Sequence, residues 1–248
     1  MTRRLPLFVL SAIAAVPVTG AAAPRDRSVV DEAVEVLNDL AAAPEKGVPP
    51  KLLQDASAVI VAPDVLKGGF VLGARHGHGV LLVRQKGGWS DPVFVTLTGG
   101  SIGFQAGVSA TDLFLVIRNA RSLDRIFQGT AKLALGADAT VAAGPVGREV
   151  AGATDAQLKA EILAYSRTRG LFGGLALDGD TIVVDHAANE RFYGKKKVTV
   201  GMIVGGTVTE PKEAGDLGAR LAEWSGDVPP PPPAVIGPAV QLEVPKKK

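Results

Sequence analysis

The chain has no cysteine, few aromatic residues and almost no net charge. Without cysteine among its 248 residues, it has no disulfide framework, no thiol nucleophile and no thiolate metal site. Its 27 basic and 25 acidic side chains nearly cancel, which argues against uniform electrostatic attraction to nucleic acid or to a membrane. Any site for an anionic ligand must therefore be a local patch.

The chain is rich in glycine and poor in aromatic residues. The chain has 30 glycines, 5% aromatic residues and an apolar fraction of 46%. Such a composition can bury a sizeable core and indicates many tight turns with closely packed backbone. It favours a β-rich fold over a helix bundle.

Both ends of the sequence differ from its middle. Arg3 and Arg4, an apolar run and then small residues up to Ala23 have the layout of a secretory signal peptide, with cleavage expected after Ala22. We therefore expect an exported protein, periplasmic or extracellular and peripheral to a membrane. The proline-rich segment before the terminal lysines is predicted to be a disordered tail. The predicted division is signal peptide 1–22, N-terminal helix and linker 23–47, main domain 48–194, helical extension 195–226 and tail 227–248.

The spacing of apolar residues predicts the elements of the main domain. Ser28 to Ala42 has helical spacing with an acidic polar face, and a second helical piece is predicted to include Ala156 to Tyr165. Between Gly69 and Val116 the period changes to two, with glycines between short strand candidates. Such short turns predict an antiparallel meander. Asp178-Gly179-Asp180 is predicted to be the turn of a hairpin.

Two motifs have a chemical and a structural interpretation. Gly99 to Gly103 satisfies the G-x-S-x-G pattern of serine hydrolases, but β-like sequence follows it where a helix is required, so we interpret Ser101 as a turn residue. His76 and His78 would share one face of a strand and could supply two metal ligands. No third ligand is evident, so we expect the histidines to be exposed in a turn and to form no metal site. We expect no catalytic residue in either motif. We also expect no cofactor.

The basic residues beside glycine-rich segments are the candidates for a binding site. Arginine offers a rigid fork of donors suited to phosphate, and lysine offers a point charge. The candidate lipid-binding residues are Lys67, Arg75, Arg84, Arg148, Arg167 and Arg169. In the alternative interpretation, Arg167 and Arg169 pair with Asp112, Asp138 or Asp155 and only hold loops in place.

Four segments together resemble a known family. They are Lys67 to Arg84, Trp89 to Gln105, AAGPVGR at Ala142 to Arg148 and YSRTRGLFGG at Tyr165 to Gly174. In content and order they resemble the SYLF-domain family of lipid-binding proteins over roughly Val48 to Gly194, although His76 and His78 depart from its pattern. The resemblance implies an α+β fold with a strongly bent, mainly antiparallel sheet and flanking helices.

The resemblance also implies a function. Together with the predicted signal peptide, it implies a non-enzymatic, exported lipid-binding protein of the cell envelope that recognises anionic phospholipid headgroups through a local patch of arginine and lysine. Eukaryotic members are associated with phosphoinositide membranes and fungal members also with actin, but neither partner transfers automatically to an exported chain. Two alternatives stay open. One is an envelope interaction module whose proline-rich tail contacts a protein or an acidic polymer, and the other is a closed barrel with an apolar ligand inside.

Overall fold

A computed structural model describes residues 24–42, 48–69, 72–102, 107–127, 132–146, 154–168, 171–209 and 212–226. The predicted signal peptide and proline-rich tail lie outside these described residues. None of the helices in the described ranges combines the length and the apolar character that crossing a membrane requires.

Helices lie mainly at the two ends of the described chain. Their bounds are α1 (Pro24–Ala42), α2 (Pro50–Gln54), α3 (Ala120–Phe127), α4 (Asp155–Lys159), α5 (His186–Phe192), α6 (Val200–Val204) and α7 (Lys212–Ser225). Helix α1 begins four residues before Ser28, where the sequence predicted its start. The carboxylate of Asp185 caps α5 by accepting a hydrogen bond from the amide of Ala188 at 2.9 Å.

The strands form one curled sheet. Their bounds are β1 (Ala58–Gly69), β2 (Leu72–Gln85), β3 (Gly88–Trp89), β4 (Val93–Ile102), β5 (Gly107–Ile117), β6 (Leu133–Ala134), β7 (Val141–Ala143), β8 (Ile162–Thr168), β9 (Leu171–Gly174) and β10 (Thr181–Val184). Among these strands the order is β6-β10-β4-β2-β1-β5-β8-β7, with β3 beside β2 and β9 beside β8. All pairs are antiparallel except β7 with β8. The predicted α+β fold with a bent, mainly antiparallel sheet is confirmed as a half-barrel.

The meander predicted between Gly69 and Val116 forms only in part, because glycines expected between strands, such as Gly77 and Gly99, lie inside β2 and β4. Strands β1, β2 and β4 pair in chain order. Strand β5 does not continue beside β4, whose second edge is taken by β10. It returns instead to the free edge of β1. This non-local pairing cannot be deduced from short turns, which indicate only that a neighbour is antiparallel.

An apolar layer lies on each face of the sheet. On one face, the inward residues of β1, β4 and β5 pack with α3, α6 and the segment before β10. On the other face, Val59 and Val61 of β1 pack with the apolar stripe of α1 and with α7. The central strand is therefore buried on both sides, which explains the nearly continuous apolar run from Ala58 to Ala62.

A bulge interrupts β1 at Pro63 and Asp64. The register with β2 shifts by one residue between Val61 and Leu66, and a matching shift occurs against β5. Asp64 has a left-handed φ of 46°, and its amide donates a hydrogen bond to the Asp112 carboxylate at 3.0 Å. A bulge can accommodate proline within a central strand because one residue is left out of the ladder.

Two local predictions are wrong. The predicted helical piece Ala156 to Tyr165 is helical only in α4, and its second half belongs to β8. Tyr165 is fully buried in the sheet, so the apolar run belongs to a strand that is buried on both faces. The turn at Gly179 is present, with φ of 87°, but residues 175–177 form no strand. Strand β10 pairs with β4 and β6 because their apolar residues share its inward face.

Two of the glycine-containing segments that indicate the family are in direct contact. Gly144 lies against the ring of Tyr165, and a Cβ at Gly144 would fall 2.0 Å from the ring carbon Cζ. The Tyr165 hydroxyl donates a hydrogen bond to the carbonyl of Pro145 at 3.3 Å. Glycine at position 144 thus lets the backbone approach a buried ring. Burial raises the pKa of Tyr165 far above its ordinary value.

We expect Gly144→Ala to lower the free energy of unfolding by about 1–3 kcal/mol, because the added methyl overpacks the buried Tyr165 ring. Urea denaturation measures this change. The control is Gly173→Ala in β9, where nothing lies within 4 Å of an added Cβ. Equal stability of the two variants would contradict the contact.

Candidate functional site

The four candidate residues that the structure describes do not form one cluster. Arg148 and Arg169 lie outside the described residues. Lys67 and Arg75 are cross-strand partners on β1 and β2. Arg84 lies at the other end of β2, and Arg167 lies on β8. Of these four described candidates, the structure brings Lys67 and Arg75 together and leaves Arg84 and Arg167 apart from them.

Arg84 links β2 to α2. Its Nε donates a hydrogen bond to the carbonyl of Ala56 at 2.8 Å, and another of its nitrogens donates to the carbonyl of Leu53. Its guanidinium lies 4.3 Å from the ring centroid of Trp89, within the range of a cation–π contact. These contacts satisfy carbonyls at the end of a short helix, which is a structural task.

Arg167 lies between two carboxylates. Its Nε donates to Asp112 at 2.6 Å, and its Nη1 contacts Asp39 of α1. The contact with Asp112 is one that the scaffold interpretation names. The proposed role of Arg148, Arg167 and Arg169 in lipid binding stays a prediction.

An acidic cluster surrounds Arg167 where α1 crosses the β1 bulge. Burial is the main reason that the pKa of Glu32 is raised, and repulsion from Asp64, Glu35, Asp112 and Asp31 adds to it. Burial likewise raises the pKa of Asp112, although the amide of Asp64 opposes this shift. The charged form of Glu32 is therefore less favourable in the folded chain than in the unfolded chain.

A buried ion pair links Arg75 to the segment before β10. The guanidinium contacts the carboxylate of Asp180, and the exposed fractions of the two side chains are 11% and 1%. A Cβ at Gly99 would fall 1.6 Å from Asp180 Oδ1, so only glycine leaves room for this carboxylate. Burial raises the pKa of Asp180, and the hydrogen bond from Arg75 opposes the shift.

A cleft of about 200 Å³ opens beside this ion pair on the inner face of the half-barrel. Its lining residues come from β1, β2, β5, β8 and the segment after β9, and they are Val65, Lys67, Arg75, Ser109, Thr111, Leu113, Ser166, Thr168 and Leu175. Val65 and Leu113 are buried and form an apolar floor. The hydroxyl groups and Lys67 give the cleft a polar rim.

Lys67 is the candidate residue whose charge is available in this cleft. In the described ranges, its ammonium makes no hydrogen bond or close ion pair. Its charge acts on Asp180 from a distance and helps to oppose the rise that burial causes in the pKa of that carboxyl, whereas Arg75 is the direct partner of Asp180. The sequence interpretation identified Lys67 but missed the hydroxyl groups. Alternation on β5 could have revealed them, because Ser109 and Thr111 lead at steps of two to the buried Leu113.

The two chemical motifs lie within strands, so the turn positions predicted for Ser101 and for the two histidines are wrong. Ser101 belongs to β4, and the next described element is β5 rather than a helix, so the turn that a hydrolase nucleophile requires is not formed. The rings of His76 and His78 stack edge to face at 5.2 Å, and His78 Nδ1 lies 3.8 Å from Asp185 Oδ2. Among the described residues, no group of three or more potential ligands is placed to hold a metal ion.

Comparison with known proteins identifies the family. A family model described as Ysc84, Las17-binding protein actin regulator, matches residues 98–224, just over half of the chain. The chain belongs to the Ysc84 family. The resemblance to SYLF-domain proteins is thereby confirmed. The Ysc84 match includes the four hydroxyl residues of the cleft, whereas Lys67 and Arg75 precede it.

Several eukaryotic relatives align with about two thirds of the chain. SH3 domain-containing YSC84-like protein 1 of Xenopus laevis is 34% identical over 70% of this chain and 52% of its own length. LAS seventeen-binding protein 3 of Saccharomyces cerevisiae strain YJM789 is 35% identical over 66% of this chain and 36% of its own length. Protein YSC84 of the same species is 36% identical over 68% and 36%, respectively. The chain spans about half or less of the length of these Ysc84 relatives.

We expect Asp180→Asn to destabilise this Ysc84-family domain by about 3 kcal/mol, because it leaves the largely buried Arg75 guanidinium without a counter-charge. Chemical denaturation at neutral pH gives the change. Asp178→Asn, an exposed neighbour in the same turn, is the matched control. A loss below about 0.5 kcal/mol, the size of an ordinary surface effect, would show that the ion pair does not anchor this segment.

We expect Glu32→Gln to raise the free energy of unfolding at pH 7. An acid whose folded-state pKa is raised stabilises the fold below its ordinary value of 4.5, and that stabilisation is lost as the pH rises through the folded-state pKa. The advantage of the variant should therefore vanish below about pH 4. Urea titrations across this range measure it, with Asp124→Asn of α3 as the control. A gain that is independent of pH would contradict the electrostatic cause.

Proposed function

We propose that this member of the Ysc84 family is an exported, non-enzymatic protein of the cell envelope that binds anionic phospholipid surfaces. The observation that carries the proposal is that a cation and exposed apolar side chains occur together at one end of the sheet. There, Lys67 lies on the inner face of β1, and Leu66 lies on the outer face beside Val108 of β5.

Leu66 and Val108 form an exposed apolar patch on these strand ends. Their exposed fractions are 54% and 81%, which is high for large apolar side chains. Val108 pairs with Gly68, and a Cβ at Gly68 would lie 3.6 Å from the Val108 side chain, so both positions share one face. An apolar patch and a cation on opposite faces of the same strand ends suit the boundary between acyl chains and anionic headgroups.

Helix α1 is a poorer candidate for membrane contact than these strand ends. Its apolar stripe is buried against the sheet, including Val30, Ala33 and Leu40. Asp26 near its start accepts two hydrogen bonds from Arg191 of α5, both at 2.8 Å. Insertion of α1 into a bilayer would remove this stripe from the core and break that ion pair.

The remaining parts of the proposal rest on sequence. Export rests on the basic and apolar layout of residues 1–22, and phosphatidylglycerol or cardiolipin is then a more plausible ligand than a phosphoinositide. The absence of catalysis is supported by the position of Ser101 within a strand. The family description names an actin regulator rather than an enzyme.

We expect residues 23–248 to sediment with phosphatidylglycerol vesicles and not with phosphatidylcholine vesicles, and to release when salt is raised. Lys67→Gln should weaken binding about fivefold, the effect of one basic residue near an anionic surface. Leu66→Ser with Val108→Ser should weaken vesicle binding about tenfold, because the variant no longer transfers two apolar side chains from water into the membrane. Vesicle co-sedimentation measures both.

Two variants at other places on the sheet are the controls. Lys86→Gln removes an exposed lysine from the turn at the far end of β2, and Val183→Ser removes an exposed apolar residue from β10. Both should bind like the wild type. No sedimentation with any vesicle would reject the membrane proposal and favour an envelope interaction module that uses residues 227–248. Co-sedimentation with filamentous actin instead would assign the partner that the family description names.

A further inference from the structure

We infer that the cleft beside the Arg75–Asp180 ion pair binds a phosphate group through Lys67 and the hydroxyl groups of β5 and β8. This inference rests on the proposed function in one respect, since a lipid headgroup is one source of such a phosphate. A soluble phosphate ester is the other source. The chemistry that recognises them is the same.

The charge of the cleft favours an oxyanion. Arg75 and Asp180 neutralise each other, so the Lys67 ammonium leaves the cleft with one net positive charge. Asp180 is buried and its carboxylate is held by Arg75, away from an incoming anion. An ammonium group acts as a point charge with three rotatable donors, which suits phosphate binding.

The hydroxyl groups supply further donors around Lys67. Thr111 and Thr168 are cross-strand neighbours whose Oγ1 atoms lie 3.3 Å apart, so one hydroxyl donates to the other and one hydrogen is left for a ligand. Ser109 is exposed on the same face of β5, and no hydrogen bond holds its side chain in the described part of the chain. Ser166 donates to the carbonyl of Gly173 at 3.4 Å, a long hydrogen bond.

The size and floor of the cleft limit what can enter. At about 200 Å³ the cleft is smaller than the roughly 300–1,000 Å³ typical of pockets for drug-sized ligands. It therefore fits a compact head group rather than an acyl chain. Val65 and Leu113 close the floor. A Cβ at Gly77 would fall 2.6 Å from Val65 Cγ2, so Val65 is tightly packed against β2.

The ion pair keeps the walls of the cleft in place. Arg75 joins β2 to the segment before β10, and Lys67 is its partner on β1. Because Arg75 is committed to Asp180, it shapes the cleft and Lys67 is the residue that meets the ligand. Lys67 is thus the candidate whose removal should change binding without breaking a contact within the described protein.

The test is a titration of residues 23–248 with glycerol 3-phosphate, followed by amide chemical shifts in NMR spectra at constant ionic strength. We expect saturable shifts at Lys67, Ser109 and Thr111, with chloride giving none. Lys67→Gln should weaken binding about tenfold, the effect of losing a hydrogen bond to a charged group. Thr111→Val with Thr168→Val keeps the shape of both side chains and should weaken it about fivefold.

Controls separate the cleft from general electrostatics and from unfolding. Lys86→Gln removes an equal charge at the far end of β2 and should leave the affinity for glycerol 3-phosphate unchanged. Thermal melts should show that all variants remain folded. Shifts that chloride reproduces, or an affinity that neither cleft variant lowers, would overturn the inference.

Vesicles distinguish the two sources of phosphate and separate this inference from the proposed function. Binding of glycerol 3-phosphate without sedimentation on phosphatidylglycerol vesicles would support the cleft with a soluble ligand and reject the membrane proposal. Sedimentation that Thr111→Val with Thr168→Val leaves intact, with no shifts from glycerol 3-phosphate, would overturn the cleft and retain the membrane proposal. If the cleft variants lose both glycerol 3-phosphate binding and vesicle sedimentation, the bound phosphate is that of the lipid headgroup.

Discussion

The fold depends on a central strand that is paired on both edges and buried on both faces. Strand β1 pairs with β2 and β5, and its side chains alternate between two apolar layers. Any polar side chain between Ala58 and Ala62 would enter one of these layers without a partner. The helices are arranged around this constraint, with α1 and α7 covering one face of the sheet and α3 and α6 contributing to the other. Such a strand is too apolar to face water, so the sheet can carry a polar cleft only toward its ends.

Balanced charge has a structural counterpart in paired side chains. Arg75, Arg167 and Arg191 each contact at least one aspartate that lies far away in sequence. These pairs join α1 to α5, α1 to β8 and β2 to the segment before β10. A chain with nearly equal numbers of acids and bases can commit many of its charges in this way. Lys67 is conspicuous because it lies in a cleft and is not committed to such a pair among the described residues.

Local features could be predicted from the sequence because they depend on neighbouring residues. The spacing of apolar residues predicted α1, and the family was recognisable from four glycine-rich or arginine-rich segments. Long-range contacts could not be predicted in this way. Arg75 and Asp180 lie 105 positions apart, and no local pattern indicates that Gly99 makes room for their contact. The return of β5 to β1 depends on which sheet edge is free, which a single segment does not reveal. The continuous apolar run of β8 was misinterpreted because a strand buried on both faces resembles a buried helix.

The bulge in β1 determines which side chains of this strand face the cleft and which face the outer surface of the sheet. Before the bulge, even-numbered residues such as Ile60 and Ala62 point to the inner layer, and after it the odd-numbered Val65 and Lys67 do so. The single extra residue therefore turns Lys67 inward and Leu66 outward. In a regular strand of the same length, without the bulge, alternation from Ala62 would place Leu66 in the cleft and Lys67 on the outer face. The contrast between the two surfaces thus depends on the bulge being formed and could not be deduced from alternation along β1 alone.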